Sequence, residues 1–258
     1  MTLTSGTVLG QRYEIRDFVG SDGTLEVYKG LDLRLGRDIA ITVLEIRNLQ
    51  EPDKLLIFEQ EARIRATLHH PRLMNIHDFG HDASCAFQIA EWLEGQSLRK
   101  RLKSGPLAWA EALAIGSEVL EGLDVIHSRG FSLLTLDETS VFLHREVGAK
   151  LFAYALKRID GPDGIGFQAA ERNGIQALAR LLLDGLLRGN PEPESEAMAR
   201  KLDLLRSLTE AEEPDLRIRF ETLIQEFPGA RKHRSRRFWL AAGLLVTCLL
   251  YTSDAADE

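Results

Sequence analysis

The spacing of apolar residues changes once along this 258-residue chain, at a short connector that reads EWLEG and covers residues 91–95. Before the connector, residues 13–19, 25–31 and 38–46 are rich in β-forming side chains. Breaks that contain glycine or arginine separate these runs, as turns separate the strands of an antiparallel sheet. Since the runs follow one another closely, we expect three consecutive antiparallel strands at the start of the chain.

A helix and two further strands are predicted between these runs and the connector. Residues 52–68 carry apolar side chains at a helical spacing, and Pro71 stops that pattern. Residues 73–79 and 85–90 then form two short β-rich runs. The first part of the chain, residues 11–90, is therefore predicted to be a five-stranded antiparallel sheet with one helix.

The chain after the connector is predicted to be mainly helical. An apolar stripe runs through residues 109–128, and residues 175–187 are almost entirely apolar, as expected for a buried central helix. Two closing helical segments and two short β-rich runs complete this part: residues 195–208, 215–226, 141–143 and 149–152. The predicted fold class is α+β, with a sheet-containing lobe at 11–90, a hinge at 91–95 and a helical lobe at 96–227.

Composition and charge restrict the class of protein. A hydrophobic content of 44% and a charged content of 28% are ordinary for a globular domain. The formal net charge of -7 argues against nucleic acid as a general partner. Cys85 and Cys248 have neither disulfide nor zinc spacing, so no metal site is expected and a reducing compartment is favoured. The first residues lack the basic and apolar segments of a signal peptide.

The sequence changes abruptly in character near its end. A basic segment at 228–237 precedes a 14-residue apolar run at 238–251, which reads FWLAAGLLVTCLLY. Basic residues beside an apolar run with aromatic residues at its edge are typical of a cytoplasmic membrane boundary. We therefore expect a single-pass membrane segment, with the domain at 11–227 in the cytoplasm; a buried terminal helix is the alternative. The run is shorter than the ~20 residues that span a bilayer.

The last residues suggest why the run is short. Residues 248–258, CLLYTSDAADE, are similar to the translation of a transposon-end sequencing adapter. This similarity implies that the native sequence stops near Thr247 and that 238–251 is a truncated transmembrane segment. We therefore expect residues 248–258 to be an artefact and leave them out of the fold prediction.

Five segments carry a resemblance to a known family. They occur in the family's order and read LGQRYEIRDFVG, VYKGLDLRLGRDIAITVL, FEQEARIRATLHHPRL, EWLEGQSL and ERNGIQALARLLLDGLLRG. Over residues 8–227 the chain resembles the bacterial Hanks-type serine/threonine protein kinases. The resemblance implies the two-lobed protein-kinase fold, with EWLEG as the hinge between a sheet-containing N-lobe and a helical C-lobe that is shortened here.

The resemblance also implies which positions should hold the chemistry of phosphoryl transfer. A kinase needs a strand lysine for the ATP phosphates, a catalytic-loop aspartate as base, and an asparagine and an aspartate for magnesium. In this sequence those positions carry residues that cannot act in this way: Thr42, Thr135, Ser140 and Ala153. The usual carboxylate partner of the lysine is kept as Glu61, which we expect to be solvated or turned outward. In the glycine-rich loop Gly20 is kept, whereas Asp22 would repel phosphate.

Other family positions keep their structural residue types. Glu171 matches the carboxylate at the end of the activation segment, and Arg217 matches the arginine that pairs with it. The resemblance implies five nucleotide-pocket candidates. Val27, Ala40 and Phe142 fall where the family encloses the adenine ring, Leu93 falls at the hinge amide, and Gly20 is the first glycine of the phosphate loop. The apolar members of this set are equally consistent with a plain hydrophobic core.

Without the lysine and both magnesium ligands, the expected site has no arrangement of charges that holds Mg-ATP. The sequence therefore predicts a membrane-tethered pseudokinase that acts as a signalling or protein-binding scaffold, with no cofactor and an unknown protein partner. The alternative is an active serine/threonine kinase with relocated catalytic residues, which would use ATP and magnesium. Asp137 and Glu138 are its acidic candidates near the catalytic loop. A decayed gene without a selected function is the third possibility.

Overall fold

A computed structural model describes residues 3–21, 23–45, 53–82, 84–152, 154–159, 165–189, 195–211 and 215–225. The first part of the chain forms an antiparallel sheet of six strands, whose order is β1-β2-β3-β4-β6-β5. These strands are β1 (Val8–Leu9), β2 (Tyr13–Ser21), β3 (Leu25–Asp32), β4 (Arg37–Glu45), β5 (Ile76–His81) and β6 (Cys85–Glu91). One helix, α1 (Asp53–Arg65), lies between β4 and β5 in the chain.

The sheet has one strand more than the sequence predicts. The five expected strands are present, and β1 is added at the edge, where its two residues pair with Glu14 and Tyr13 of β2. The turn between β1 and β2 requires positive φ angles, 53° at Gly10 and 56° at Gln11. A strand of two residues is too short to show an alternating pattern, so the sequence carries no signal for it.

The two faces of the sheet pack against different partners because successive side chains of a strand point to opposite faces. Ile39 and Ile41 of β4 belong to a buried apolar cluster with residues of β1, β2, β3 and β6. Leu44 points to the other face, where it packs with Ala86 of β6 and Phe58 of α1. The helix therefore covers the face that carries Leu44.

The second part of the chain is mainly helical, as the sequence predicts. Its helices are α2 (Leu98–Leu102), α3 (Trp109–Ser128), α4 (Ile165–Leu187), α5 (Glu196–Glu210) and α6 (Leu216–Gln225). One large buried cluster joins side chains of all five helices. The predicted α+β class, with an antiparallel sheet lobe followed by a helical lobe, is confirmed.

The central helix is longer than predicted. α4 begins at Ile165, whereas the sequence pattern placed its start at residue 175. In the family pattern Ala-Pro-Glu, which this chain matches at 169–171, the proline position carries Ala170. Because no proline removes a backbone N–H or clashes with the preceding turn, nothing ends the helix there. Glu171 therefore lies on α4.

Two small sheets lie beyond the hinge. β7 (Gly95–Ser97), β9 (Val141–His144) and β10 (Gly148–Leu151) form the first, and β8 (Phe131–Leu133) pairs with β11 (Leu156–Arg158) in the second. The sequence predicted β9 and β10 but not the three-residue strands. Gly95 has a φ of 149°, and a Cβ atom there would lie 2.0 Å from the carbonyl oxygen of Leu143. Glycine is thus required where the hinge enters β7.

Membrane insertion was predicted from the end of the sequence. The basic segment at 228–237, the apolar run at 238–251 and the adapter-like residues 248–258 lie outside the described residues. Within the part of the chain that the structure describes, none of the helices has the length and apolar character needed to cross a membrane.

Candidate nucleotide cleft

The strand residues of the candidate site lie on one side of the sheet. The register pairs Val27 of β3 with Thr42 of β4, and Thr42 with Gln88 of β6. Ala40 is two residues from Thr42, so its side chain points to the same face. Leu44 of that face packs against α1. The structure therefore brings Val27, Ala40 and Thr42 together on the face that α1 covers.

The remaining pocket candidates lie on β2, in the hinge and on β9. Gly20 is opposite Val27 in the β2–β3 register, and Asp22 lies outside the described residues. Leu93 in the hinge is buried. The ring of Phe142 on β9 packs edge-on against Phe152, with 5.4 Å between the ring centroids. Phe142 is thus already in contact with a protein side chain.

Lys29 on β3 does not replace the lysine that β4 lacks at Thr42, because its ammonium is already paired. Lys29 of β3 places its Nζ 2.7 Å from Asp38 Oδ2 and lies 5.2 Å from the ring of Trp92. Glu61 is half-buried, and burial raises the pKa of its carboxyl, although the charge of Arg65 opposes that rise. The sequence predicts that Glu61 is solvated or turned outward, and that expectation stays a prediction; in the structure the charge that acts on its carboxyl is that of Arg65.

Arg65, one helical turn after Glu61, was not identified from the sequence. Its guanidinium donates through Nη2 to the carbonyl oxygen of Phe152 at 3.0 Å and, at 3.5 Å, through Nη1 to Gln88 Oε1. It also lies 4.7 Å from the centroid of the Tyr154 ring. The spacing of four residues from Glu61 was the available signal, since it places both side chains on one face of α1.

The segment at 133–140, where the resemblance placed the base and a metal ligand, is organised by Asp137. Its Oδ1 accepts hydrogen bonds from the Thr139 backbone N–H at 2.7 Å and hydroxyl at 2.5 Å, and the Ser140 hydroxyl lies 3.4 Å away. Burial would raise the pKa of Asp137, but these hydrogen bonds outweigh it and lower the pKa. Thr135 is exposed and Ser140 is buried, so the two side chains do not share one solvent-facing site.

The second acidic candidate, Glu138, is engaged by cations. Arg188 Nη1 lies 2.5 Å from its Oε2, and Arg99 Nε lies 3.1 Å from its Oε1. The hydrogen bond from Arg188, followed by that from Arg99, lowers the pKa of the Glu138 carboxyl. Ala153 lies outside the described residues. Asp137 and Glu138 are thus both bound to neighbouring protein groups.

A lysine beside the hinge is also engaged. Lys150 of β10 is buried, and its ammonium forms an ion pair with Glu91 Oε1 at the end of β6. The same oxygen accepts a hydrogen bond from the Asn75 backbone N–H at 2.9 Å. These contacts join the sheet lobe to β10. The Lys150 charge is paired with Glu91.

The ion pair that the sequence predicts between Glu171 and Arg217 is present, with Nη1 2.9 Å from Oε1. The structure adds Asp124 of α3, whose two carboxylate oxygens accept from Nη1 at 2.8 Å and Nη2 at 2.9 Å. Glu221 accepts from Nε at 2.9 Å. The hydrogen bond to Asp124, ahead of those to Glu171 and Glu221, raises the pKa of Arg217. Arg217 therefore joins α3, α4 and α6.

Comparison with known proteins identifies relatives of this chain. No family model matches it. Serine/threonine-protein kinase pkn2 of Myxococcus xanthus is 32% identical over 166 residues, which are 63% of this chain and 20% of pkn2. Serine/threonine-protein kinase PknL of Mycobacterium bovis is 32% identical over 152 residues, which are 58% of this chain and 38% of PknL. The chain thus spans less than half the length of these curated relatives.

Solved structures support the fold. The crystal structure of the Mycobacterium tuberculosis PknI kinase domain superposes with a TM-score of 0.66 at 20% sequence identity. The match covers 88% of this chain and 100% of that chain. The protein-kinase-like fold implied by the sequence motifs is therefore confirmed.

Proposed function

We propose that this chain, which is homologous to bacterial serine/threonine kinases and has a protein-kinase-like fold, is a pseudokinase that serves as a protein-binding scaffold. The observation that carries the proposal is the set of uncharged side chains at the kinase positions: Thr42, Thr135 and Ser140. Phosphoryl transfer depends on positioning and on neutralising charge. Since the fold by itself does not assign a function, the argument rests on this chemistry.

The contacts of the two acidic candidates argue against relocated catalysis. A base must reach the substrate hydroxyl with an available carboxylate oxygen. Asp137 Oδ1 accepts hydrogen bonds within its own loop, and Glu138 binds two arginines. Using Glu138 would require breaking its ion pairs with Arg99 and Arg188. Asp137 would have to act through Oδ2 while Oδ1 holds the loop.

A phosphotransfer assay tests the proposal. The full chain is incubated with Mg-ATP and a generic protein substrate, and we expect no transfer above the background of a reaction without the protein. Asp137→Asn tests whether Asp137 acts as a relocated base, and Glu138→Gln is the control variant. Transfer by the wild type that Asp137→Asn abolishes and Glu138→Gln retains would contradict the proposal and establish a relocated base.

We also propose that residues 228–251 tether the protein to a membrane and leave the kinase-like domain in the cytoplasm. The support is the sequence pattern of a basic segment beside an apolar run with Phe238 and Trp239 at its edge. Cell fractionation tests this proposal, with the full chain expected in the membrane fraction and released by detergent. Recovery of the full chain in the soluble fraction without detergent would contradict it.

A further inference from the structure

Arg65 connects three parts of the molecule. It lies in the last turn of α1, is 8% exposed, and contacts Gln88 on β6 and the chain at Phe152 and Tyr154. Its neighbour Arg63, two residues earlier on the same helix, has a side chain that is 77% exposed and lies 3.8 Å from Glu59. The burial of Arg65 is thus specific to its position on α1.

A buried guanidinium is costly unless hydrogen bonds and nearby groups compensate its charge. Among the described residues no carboxylate oxygen lies within ion-pair distance of Arg65, and its Nε has no hydrogen-bond partner. The compensation comes from the Phe152 carbonyl, the face of the Tyr154 ring and the more distant charge of Glu61. Arg65 keeps this compensation only while α1 stays close to these groups, so it couples their positions.

We propose that Arg65 is a clamp that holds α1 against β6 and against the chain at Phe152 and Tyr154 without a bound nucleotide. The family resemblance implies that a strand lysine would otherwise hold α1 through Glu61, but position 42 is a threonine. The clamp replaces that contact with one directed to β6 and to the other lobe. The position of α1, and with it the outer surface of the helix, becomes independent of ATP. This inference goes beyond the proposed function.

Hydrogen–deuterium exchange of the full chain tests the clamp by comparing the exchange rates of backbone amides in α1 and at 148–159 between variants. The variants are Arg65→Met, which removes the charge at similar length, and Arg65→Lys, which keeps the charge but not the planar fork. Arg63→Met is the matched control. We expect about tenfold or faster exchange in α1 and at 148–159 for both Arg65 variants, because each loses hydrogen bonds from a charged group. Arg63→Met should exchange like the wild type.

Equal exchange of α1 and of 148–159 in Arg65→Met and Arg63→Met would overturn the clamp. If Arg65→Met does not melt cooperatively, Tyr154→Leu replaces it, since leucine keeps apolar bulk but removes the aromatic face. Faster exchange of α1 in Tyr154→Leu supports the clamp. Wild-type exchange of α1 in that variant overturns it.

Mg-ATP added to the wild type separates this inference from the proposed function. We expect unchanged exchange in the glycine-rich β2–β3 region and in α1. Protection of β2 and β3 by Mg-ATP would contradict the pseudokinase proposal, while the difference between Arg65→Met and Arg63→Met still decides the clamp. Protection of α1 by Mg-ATP would contradict the claim that the helix is fixed without nucleotide.

Discussion

Arg217 shows how one residue can join three helices. Its side chain is 37% exposed, and it contacts carboxylates from α3, α4 and α6. The contact with Asp124 is bidentate, which gives it a better geometry than the single hydrogen bonds to Glu171 and Glu221. Partial exposure screens all three interactions and lowers what each contributes to stability.

Arg217→Met should therefore lower the free energy of unfolding by about 1–3 kcal/mol, because three carboxylates lose a shared cation at a partly screened site. Arg200→Met is the control: its ion pair with Glu196 also joins residues four apart, and both side chains are largely exposed, 78% and 83%. The control should cost about 0.5 kcal/mol or less. Urea denaturation measures both, and equal losses would contradict the ranking.

Asp32 makes stability depend on pH. It is 1% exposed and accepts hydrogen bonds from Arg12 and from the backbone N–H groups of Arg34 and Leu35. The hydrogen bond from Arg12, helped by the backbone donors and opposed by burial, lowers the pKa of Asp32 from 3.8 to about 2. A carboxyl whose folded pKa is depressed stabilises the fold above its unfolded pKa, and this contribution is lost as pH falls toward the folded pKa.

Asp32→Asn should thus reduce the loss of stability as pH falls from 3.8 toward about 2, while lowering stability near neutral pH. Asp203→Asn, at a side chain that is 70% exposed, is the control and should follow the wild-type pH dependence. Unfolding free energies from urea titrations across this range check the prediction. If the unfolding free energy of Asp32→Asn depended on pH as that of the wild type does, Asp32 would not be the cause of the pH dependence.

Residues close in sequence could be predicted better than residues brought together by folding. Thr42, Thr135 and Ser140 were found because motifs fix their positions along the chain. Arg217 and Asp124 are 93 residues apart, and no local pattern in α3 marks Asp124 as a partner. Arg65 was missed for the same reason, since its contacts at Phe152 and Tyr154 come from the other lobe.

At the scale of elements, long periodic segments were predicted and short ones were not. α3 was predicted with its observed bounds, Trp109–Ser128, because twenty residues give a clear apolar stripe. β1, β7, β8 and β11 have two or three residues each, and their pairing depends on distant partners. The start of α4 was misplaced because the prediction followed the apolar run at 175–187, whereas the helix also includes the more polar residues from Ile165 onward.

Restoring the proline tests this account of α4. Ala170→Pro should lower the free energy of unfolding by about 3 kcal/mol, because proline removes an interior helical hydrogen bond and clashes with the preceding turn. Ala170→Gly is the control and should cost about 1 kcal/mol through helix propensity. Chemical denaturation followed by circular dichroism measures both. Equal losses for the two variants would show that residues before 170 do not form part of the helix.

At the scale of the whole molecule, the protein-kinase-like fold is present, while the kinase positions 42, 135 and 140 carry uncharged side chains. The sheet lobe and the helical lobe are joined at the hinge and by contacts within the protein, including Lys150 with Glu91 and Arg65 with Phe152. In both contacts a buried cationic side chain, Lys150 or Arg65, binds a group of the protein itself. These contacts are therefore part of what holds the two lobes together in the structure.

Thermal melting with Mg-ATP tests this central claim most directly. The full chain is melted with magnesium alone, with ATP alone and with millimolar Mg-ATP. The account predicts the same midpoint in all three, because Thr42 offers no charge to the phosphates and the Ser140 hydroxyl is buried beside Asp137. A ligand present at 100 times its Kd would stabilise the folded state by about 2.7 kcal/mol and raise the midpoint by about 5 °C or more in a chain of this size. A shift of that size that requires both magnesium and ATP would contradict the account.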